Sequence, residues 1–396
     1  MMIKRCHKLW LMVITVLICL ILSMDAGAQE ITEDEGTDQA AADILTEKLD
    51  LTGMQELVDE LLGEKSVSLG ELFGKLMSGE EILSKKTVQE FLRGLLFSRI
   101  RNERAMFMKV LILVLFAAVF SGFSGIFEQR QIGETGFYIV YLLIFTLLMN
   151  EFYGLGTSLM NMLKWLTEFM RELSPVYFMT VAAASGAASA TVFYEGVILL
   201  VWLLQWVLES MILPGANLYI LLRFVNHLSR EEMLGKMAEL IRTLISWGLR
   251  SLLGLVAGLQ IVRNLVAPVM DSLKRSAVGR TAGALPGVGN AVNSVTELVL
   301  TTAVLVRNSL GVMAVVLLFL AGSAPVIHYG LLSLSYRFLA AAAQPVSDKR
   351  LVECLATMGE GCAILLRIFL TAEVLCVLTL LILMAGGLQA VLRREK

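Results

Sequence analysis

Residues 308–327 read NSLGVMAVVLLFLAGSAPVI, twenty positions without one charged side chain. At 1.5 Å rise per residue such a run makes a helix of about 30 Å, the thickness of a bilayer's hydrocarbon core. Comparable runs recur along the chain at Met106–Phe127, Phe137–Tyr153, Pro175–Tyr194 and Gly196–Leu213, the last with a continuation to Leu222 left open. Leu240–Val262, Leu331–Ala343 and Ile364–Leu388 complete the set. The stretch Leu155–Leu173 differs, because Lys164, Glu168 and Arg171 alternate with Met, Leu and Trp, and it is expected to lie in the interface. The pattern predicts an all-α polytopic bundle of about seven or eight membrane helices, with parity undecided.

Composition agrees. The 396 residues are 57% hydrophobic and 17% charged, against roughly 45–50% and about 25% in soluble proteins. Mean hydropathy is +0.73. A net charge of −2 argues against a nucleic-acid partner, which needs a basic face. The lipid bilayer is the partner that composition demands.

The organisation divides in three. Residues 1–28 read as a signal peptide: Lys4, Arg5 and Lys8, then an apolar run to Leu22, then Ala26-Gly27-Ala28. A spanning anchor is the other reading. Residues 29–104 form an acidic, amphipathic helical region that the signal would place outside the cytoplasm. Between Gln29 and Glu60 there are 11 acidic side chains and one basic one, Lys48. Glu30–Asp38 has little to bury and is expected to be disordered. Leu69, Leu72, Phe73, Leu76 and Met77 then make an apolar stripe behind the capping box Ser68-x-x-Glu71, and Val88 to Leu96 repeats the pattern. Such stripes predict either a cap on the chain's own core or a docking face. Residues 105–396 are the polytopic domain.

Orientation has two conflicting signals. Arg263, Lys274, Arg275, Arg280 and Arg307 make the 263–307 connection the best cytoplasmic candidate, while Arg99, Arg101, Arg104 and Lys109 lie on the side the signal calls external. A faint repeat relates Leu222-Arg223-Phe224 and Ser229 to Tyr336-Arg337-Phe338 and Ser347. Chance alignment of Leu-rich helices is the favoured account, beside a transporter-like duplication.

Chemistry-bearing motifs are sparse. The chain lacks a phosphate loop, a His-Glu-x-x-His and a Gly-x-Ser-x-Gly. No cofactor is expected. Cys354, Cys362 and Cys376 have no His near them in sequence, so they read as packing residues rather than metal ligands. Ser185 with His328 would be the only nucleophile and base for an intramembrane protease, and small-residue helix packing is the preferred account of Ala182–Thr191. Ionisable or amide groups inside apolar helices are the best functional hint, because each costs about 2.5–3.5 kcal/mol at a membrane centre when charged. These are Glu195, Gln205, Glu209, Arg250, Glu297, Arg367 and Glu373. They predict a polar path or intramembrane ion pairs.

Ser174-Pro175 with Ala182–Thr191, and Leu285-Pro286-Gly287-Val288-Gly289 leading to Asn293, complete a layout that resembles the stage III sporulation protein AE family. The resemblance implies a permease-like component of the multi-protein channel between mother cell and engulfed forespore, needed for forespore activity and late transcription. It implies a multi-pass position in the mother-cell membrane around the forespore. It also implies companion channel proteins, among them ring-forming extracytoplasmic domains and a secretion-type ATPase. The family has no catalytic residue to transfer, so no enzyme is expected. A non-conducting scaffold for the channel is the alternative.

Overall fold

The computed structural model describes residues 52–62, 68–77, 130–185, 187–228, 233–282, 289–345 and 347–392, with four further positions between 108 and 115. The described residues contain no β-strand. Two short helices come first, α1 (Thr52–Leu62) and α2 (Leu69–Met77). Long helices follow: α3 (Arg130–Ser185), α4 (Ala187–Val207), a π-turn (Leu208–Ile212), α5 (Leu213–Leu228) and α6 (Gly235–Ala282). The last two are α7 (Gly289–Ala343) and α8 (Lys349–Leu392).

Five segments are long and apolar enough to cross a membrane: Tyr141–Met179, Glu195–His227, Gly235–Leu259, Asn308–Ala343 and Lys349–Leu381. The expected seven or eight are therefore not reached among the described residues. The difference lies in continuity. Three runs expected as separate elements between 137 and 194 fall largely into α3, which continues through Pro175. A proline inside a helix lacks the N–H for the carbonyl four residues earlier. Ser174, just before it, donates its hydroxyl to the Met170 carbonyl at 2.6 Å. Likewise 308–327 and 331–343 are one helix, α7, running through Pro325. The stretch 155–173 does not stand apart as an interfacial helix: Leu159, Leu163, Leu166 and Phe169 are buried in the bundle. The expected signal at 1–28 lies outside the described residues, as do nearly all of the 106–127 run and the stripe from Val88.

Long antiparallel hairpins supply the core. α7 packs along α8, and α8 also touches α3, α5 and α6. Close approach is set by small residues. A Cβ added at Gly361 would lie 2.6 Å from Phe152 and 2.7 Å from Ile220, so only glycine lets α8 seat against α3 and α5 together. Three hydroxyls staple helices to neighbouring backbone: Tyr141 to the Phe224 carbonyl (2.9 Å), Tyr329 to Leu155 (3.1 Å) and Ser333 to Gly359 (2.8 Å).

The stripe on α2 caps the chain's own core. Leu69, Leu72 and Phe73 are buried, as are Met54 and Val58 of α1. Gln55 accepts the Leu69 amide at 2.8 Å, and Trp165 of α3 donates to the Leu57 carbonyl at 3.0 Å. Glu56, Asp59 and Glu60 point outward.

The repeat markers occupy similar places. Arg223 precedes the end of α5 by five residues and Arg337 precedes the end of α7 by six. The next pair breaks the likeness, because Arg250 is exposed while Arg367 is half-buried and bonded inside the bundle.

Alanine at Gly361 is expected to destabilise by about 1–3 kcal/mol through overpacking. Gly254, with open space around its Cβ direction, should instead gain up to about 1 kcal/mol of helix propensity. Thermal unfolding of the two variants in detergent reads the difference, and equal shifts would refute the close seating of α8.

Candidate functional site

The polar groups that converge lie on one face of α8. Glu353, Glu360 and Arg367 recur every seven residues, two helical turns or about 10.5 Å apart. Each meets a partner from α5 or α6. His227 directs Nδ1 to Glu353 at 3.1 Å, and Lys349 reaches the same carboxylate at 3.8 Å. The other imidazole nitrogen, Nε2, lies 3.0 Å from the Thr357 hydroxyl. With the Nδ1 proton on the carboxylate side, Nε2 accepts from Thr357, and both ring nitrogens are satisfied. One step along, Glu360 accepts from the Tyr219 hydroxyl at 2.8 Å and faces Arg242 at 3.8 Å. At the third step Arg367 donates to the Ser246 hydroxyl at 3.2 Å.

The stripe joins helices far apart in sequence. Asn226 adds a local tie by accepting the Leu234 amide at 3.0 Å, which links the end of α5 to the residue before α6. The Arg242 and Glu360 side chains are 31% and 30% exposed. Their attraction is therefore screened and worth far less than a dry pair.

Of the seven positions singled out in the sequence, Arg367 joins this stripe. Gln205 donates to Glu209 at 3.0 Å on its own helix, where the π-turn begins. Single π-turns widen a helix locally and recur at functional positions. Gln205 also lines a cavity of about 30 Å³, with Leu163, Thr167, Leu208, Cys376 and Thr379 among its walls. That is room for a water or two. Glu195 and Arg250 are exposed, Glu373 is buried, and the side chain of Glu297 lies outside the described residues. The seven do not form one cluster.

The sequence reading missed Glu353, Glu360, His227 and Tyr219. For Glu353 and Glu360 the signal was their heptad spacing with Arg367 on α8, which single-residue hydropathy does not register; His227 and Tyr219, on α5, carried no such pattern. The described residues hold no group of three His, Cys, Asp or Glu arranged for a metal. Cys354, Cys362 and Cys376 are in no disulfide, and the first two are buried. His328 packs edge-on against Tyr329, and the side chain of Ser185 lies outside the described residues.

Five long apolar helices and an internal polar stripe define a polytopic α-helical membrane protein. The family model for stage III sporulation protein AE matches residues 67–387, and the chain belongs to that family. It is 22% identical over 387 residues to stage III sporulation protein AE of Bacillus subtilis (strain 168), covering 96% of this chain and 97% of the relative. No solved structure matches it. The family is a sporulation family rather than a known enzyme family.

Replacing Thr357 (2% exposed) with Val keeps its shape but strips His227 (9% exposed) of the Nε2 partner. The expected cost is about 1–3 kcal/mol. A melting temperature equal to wild type would show that the bond contributes nothing.

Proposed function

We propose that this chain is a permease-like membrane component of the multi-protein channel joining mother cell and forespore, required for forespore activity and late transcription. Family membership supports the sporulation role, and the stripe of charge and hydroxyl groups inside an apolar bundle supports a permease-like body. Gln205, Glu209 and Arg367 would line any path, with Glu297 a further candidate, whereas Glu195 and Arg250 are exposed and Glu373 lies against α7 at Gly322. No catalytic step is assigned to the chain, and energy would come from a partner ATPase.

A second reading is a non-conducting scaffold. The pairing of Arg242 with Glu360, and a cavity of only about 30 Å³, favour it. One double substitution separates the two. Arg242→Glu or Glu360→Arg alone should impair sporulation. Combining them should restore complex assembly and sporulation for a scaffold. For a conducting path the combination should restore assembly but leave late forespore gene expression low. Single cysteines at 195, 205, 209, 250, 297, 367 and 373, in a background without native thiols, complete the test. Labelling of several by a membrane-impermeant reagent in sporulating membranes supports a wet path, and protection of all removes it.

The docking role of residues 29–104 falls, in this reading, to the outward acidic face of α1, because the apolar stripe of α2 is already buried. Changing Glu56, Asp59 and Glu60 together to Lys should release ring-forming partners in co-purification from sporulating cells while the membrane domain still accumulates. Undiminished co-purification would exclude that face.

A further inference from the structure

Glu373 stands apart from the polar stripe. It is 6% exposed and sits in the apolar stretch of α8 that follows Arg367. Its carboxyl fills a notch in α7 at Gly322, where an added Cβ would collide with the carboxyl atoms. The notch exists because residue 322 has no side chain.

Nearby hydroxyls are committed elsewhere. Ser323 donates to the Leu320 carbonyl at 2.6 Å, Thr371 to Arg367 at 2.8 Å and Thr379 to Leu375 at 2.8 Å. Across from Glu373, α7 offers Gly322 and Ser323, neither charged. Cys376, three residues on along α8, is the next ionisable side chain of that helix. Among the described residues no cation and no hydrogen-bond donor reaches the carboxyl. The contrast with Glu360, which has both an Arg and a Tyr donor, is direct.

An ionised carboxylate enclosed without a cation or donors costs several kcal/mol, and the neutral acid costs much less. We propose that Glu373 is a proton-binding site: its carboxylate takes a proton from hydronium, releasing water, and holds it while α7 and α8 are packed across Gly322. Loss of the proton puts a bare charge into the notch and favours separation of the two helices or entry of water. This goes beyond the channel and scaffold readings and holds under either.

A buried neutral acid has a distinctive reaction. Its O–H adds across a C=N bond of an apolar carbodiimide, giving an O-acylisourea that rearranges to a stable N-acylurea. The experiment uses the full chain in phosphatidylglycerol–phosphatidylcholine nanodiscs near neutral pH, with peptide mass spectrometry as readout. Dicyclohexylcarbodiimide is expected to modify Glu373 about tenfold or more over the exposed Glu195 and Glu239. A water-soluble carbodiimide should reverse that order. Glu373→Gln, nearly isosteric, should lose the adduct with helicity unchanged. Absence of an adduct at Glu373, or labelling by the water-soluble reagent as readily as at Glu195, overturns the proposal. Because the readout is chemical and made on isolated protein, it stands or falls separately from any transport result.

Discussion

Glu360 receives a hydroxyl from Tyr219 on α5 and a guanidinium from Arg242 on α6, and this three-helix meeting point fixes how α8 lies in the bundle. The constraint is general. Polar groups carried into an apolar bundle must be satisfied by other helices, since lipid offers no partner. Because Glu353 and Arg367 sit two turns to either side, the same face of α8 makes three polar contacts in register. A slip or rotation of α8 would break all three together. Apolar side chains fill space between helices but do not discriminate between neighbouring registers as sharply.

Glycine supplies the complementary constraint. Gly361 lets α8 approach α3 and α5, one residue from Glu360, so closeness and polar registration are set at the same level. Gly322 plays the equivalent part for α7, where the space is filled by a carboxyl rather than an aromatic ring or an alkyl chain. Small-residue contacts of this kind drive helix association where no hydrophobic difference exists between protein and solvent.

Much of the architecture was legible in composition and run length. The 308–327 run required a long apolar helix, and the spacing of Leu69, Leu72 and Phe73 required a helix with one buried face. Segmentation was not legible. Pro175 reads as the start of a new run and Leu331 as the start of another, yet α3 continues through Pro175 and α7 runs unbroken from Gly289 to Ala343. The candidate site was legible only in part. Gln205 and Glu209 are bonded as their i, i+4 spacing suggests, and Arg367 meets Ser246 across a helix boundary. Arg250 and Glu195, equally charged and equally placed in apolar runs, face outward.

The sequence alone determined the helical class, the apolar character of the long segments and the amphipathic stripe at Leu69–Phe73, because periodicity and hydropathy are local properties of the chain; that the stripe caps the chain's own core was decided by packing. The sequence also carried the family layout, in Ser174-Pro175 and the 285–293 segment. Tertiary structure decided which polar groups are partnered. Tyr219 and Glu360 are 141 residues apart, and Arg367 and Ser246 are 121 apart. No local pattern encodes such pairings, since they depend on the rotation and depth at which separate helices pack. The same packing leaves Glu373 in a glycine notch with no charged neighbour among the described residues, while the acid thirteen residues before it holds two helices together.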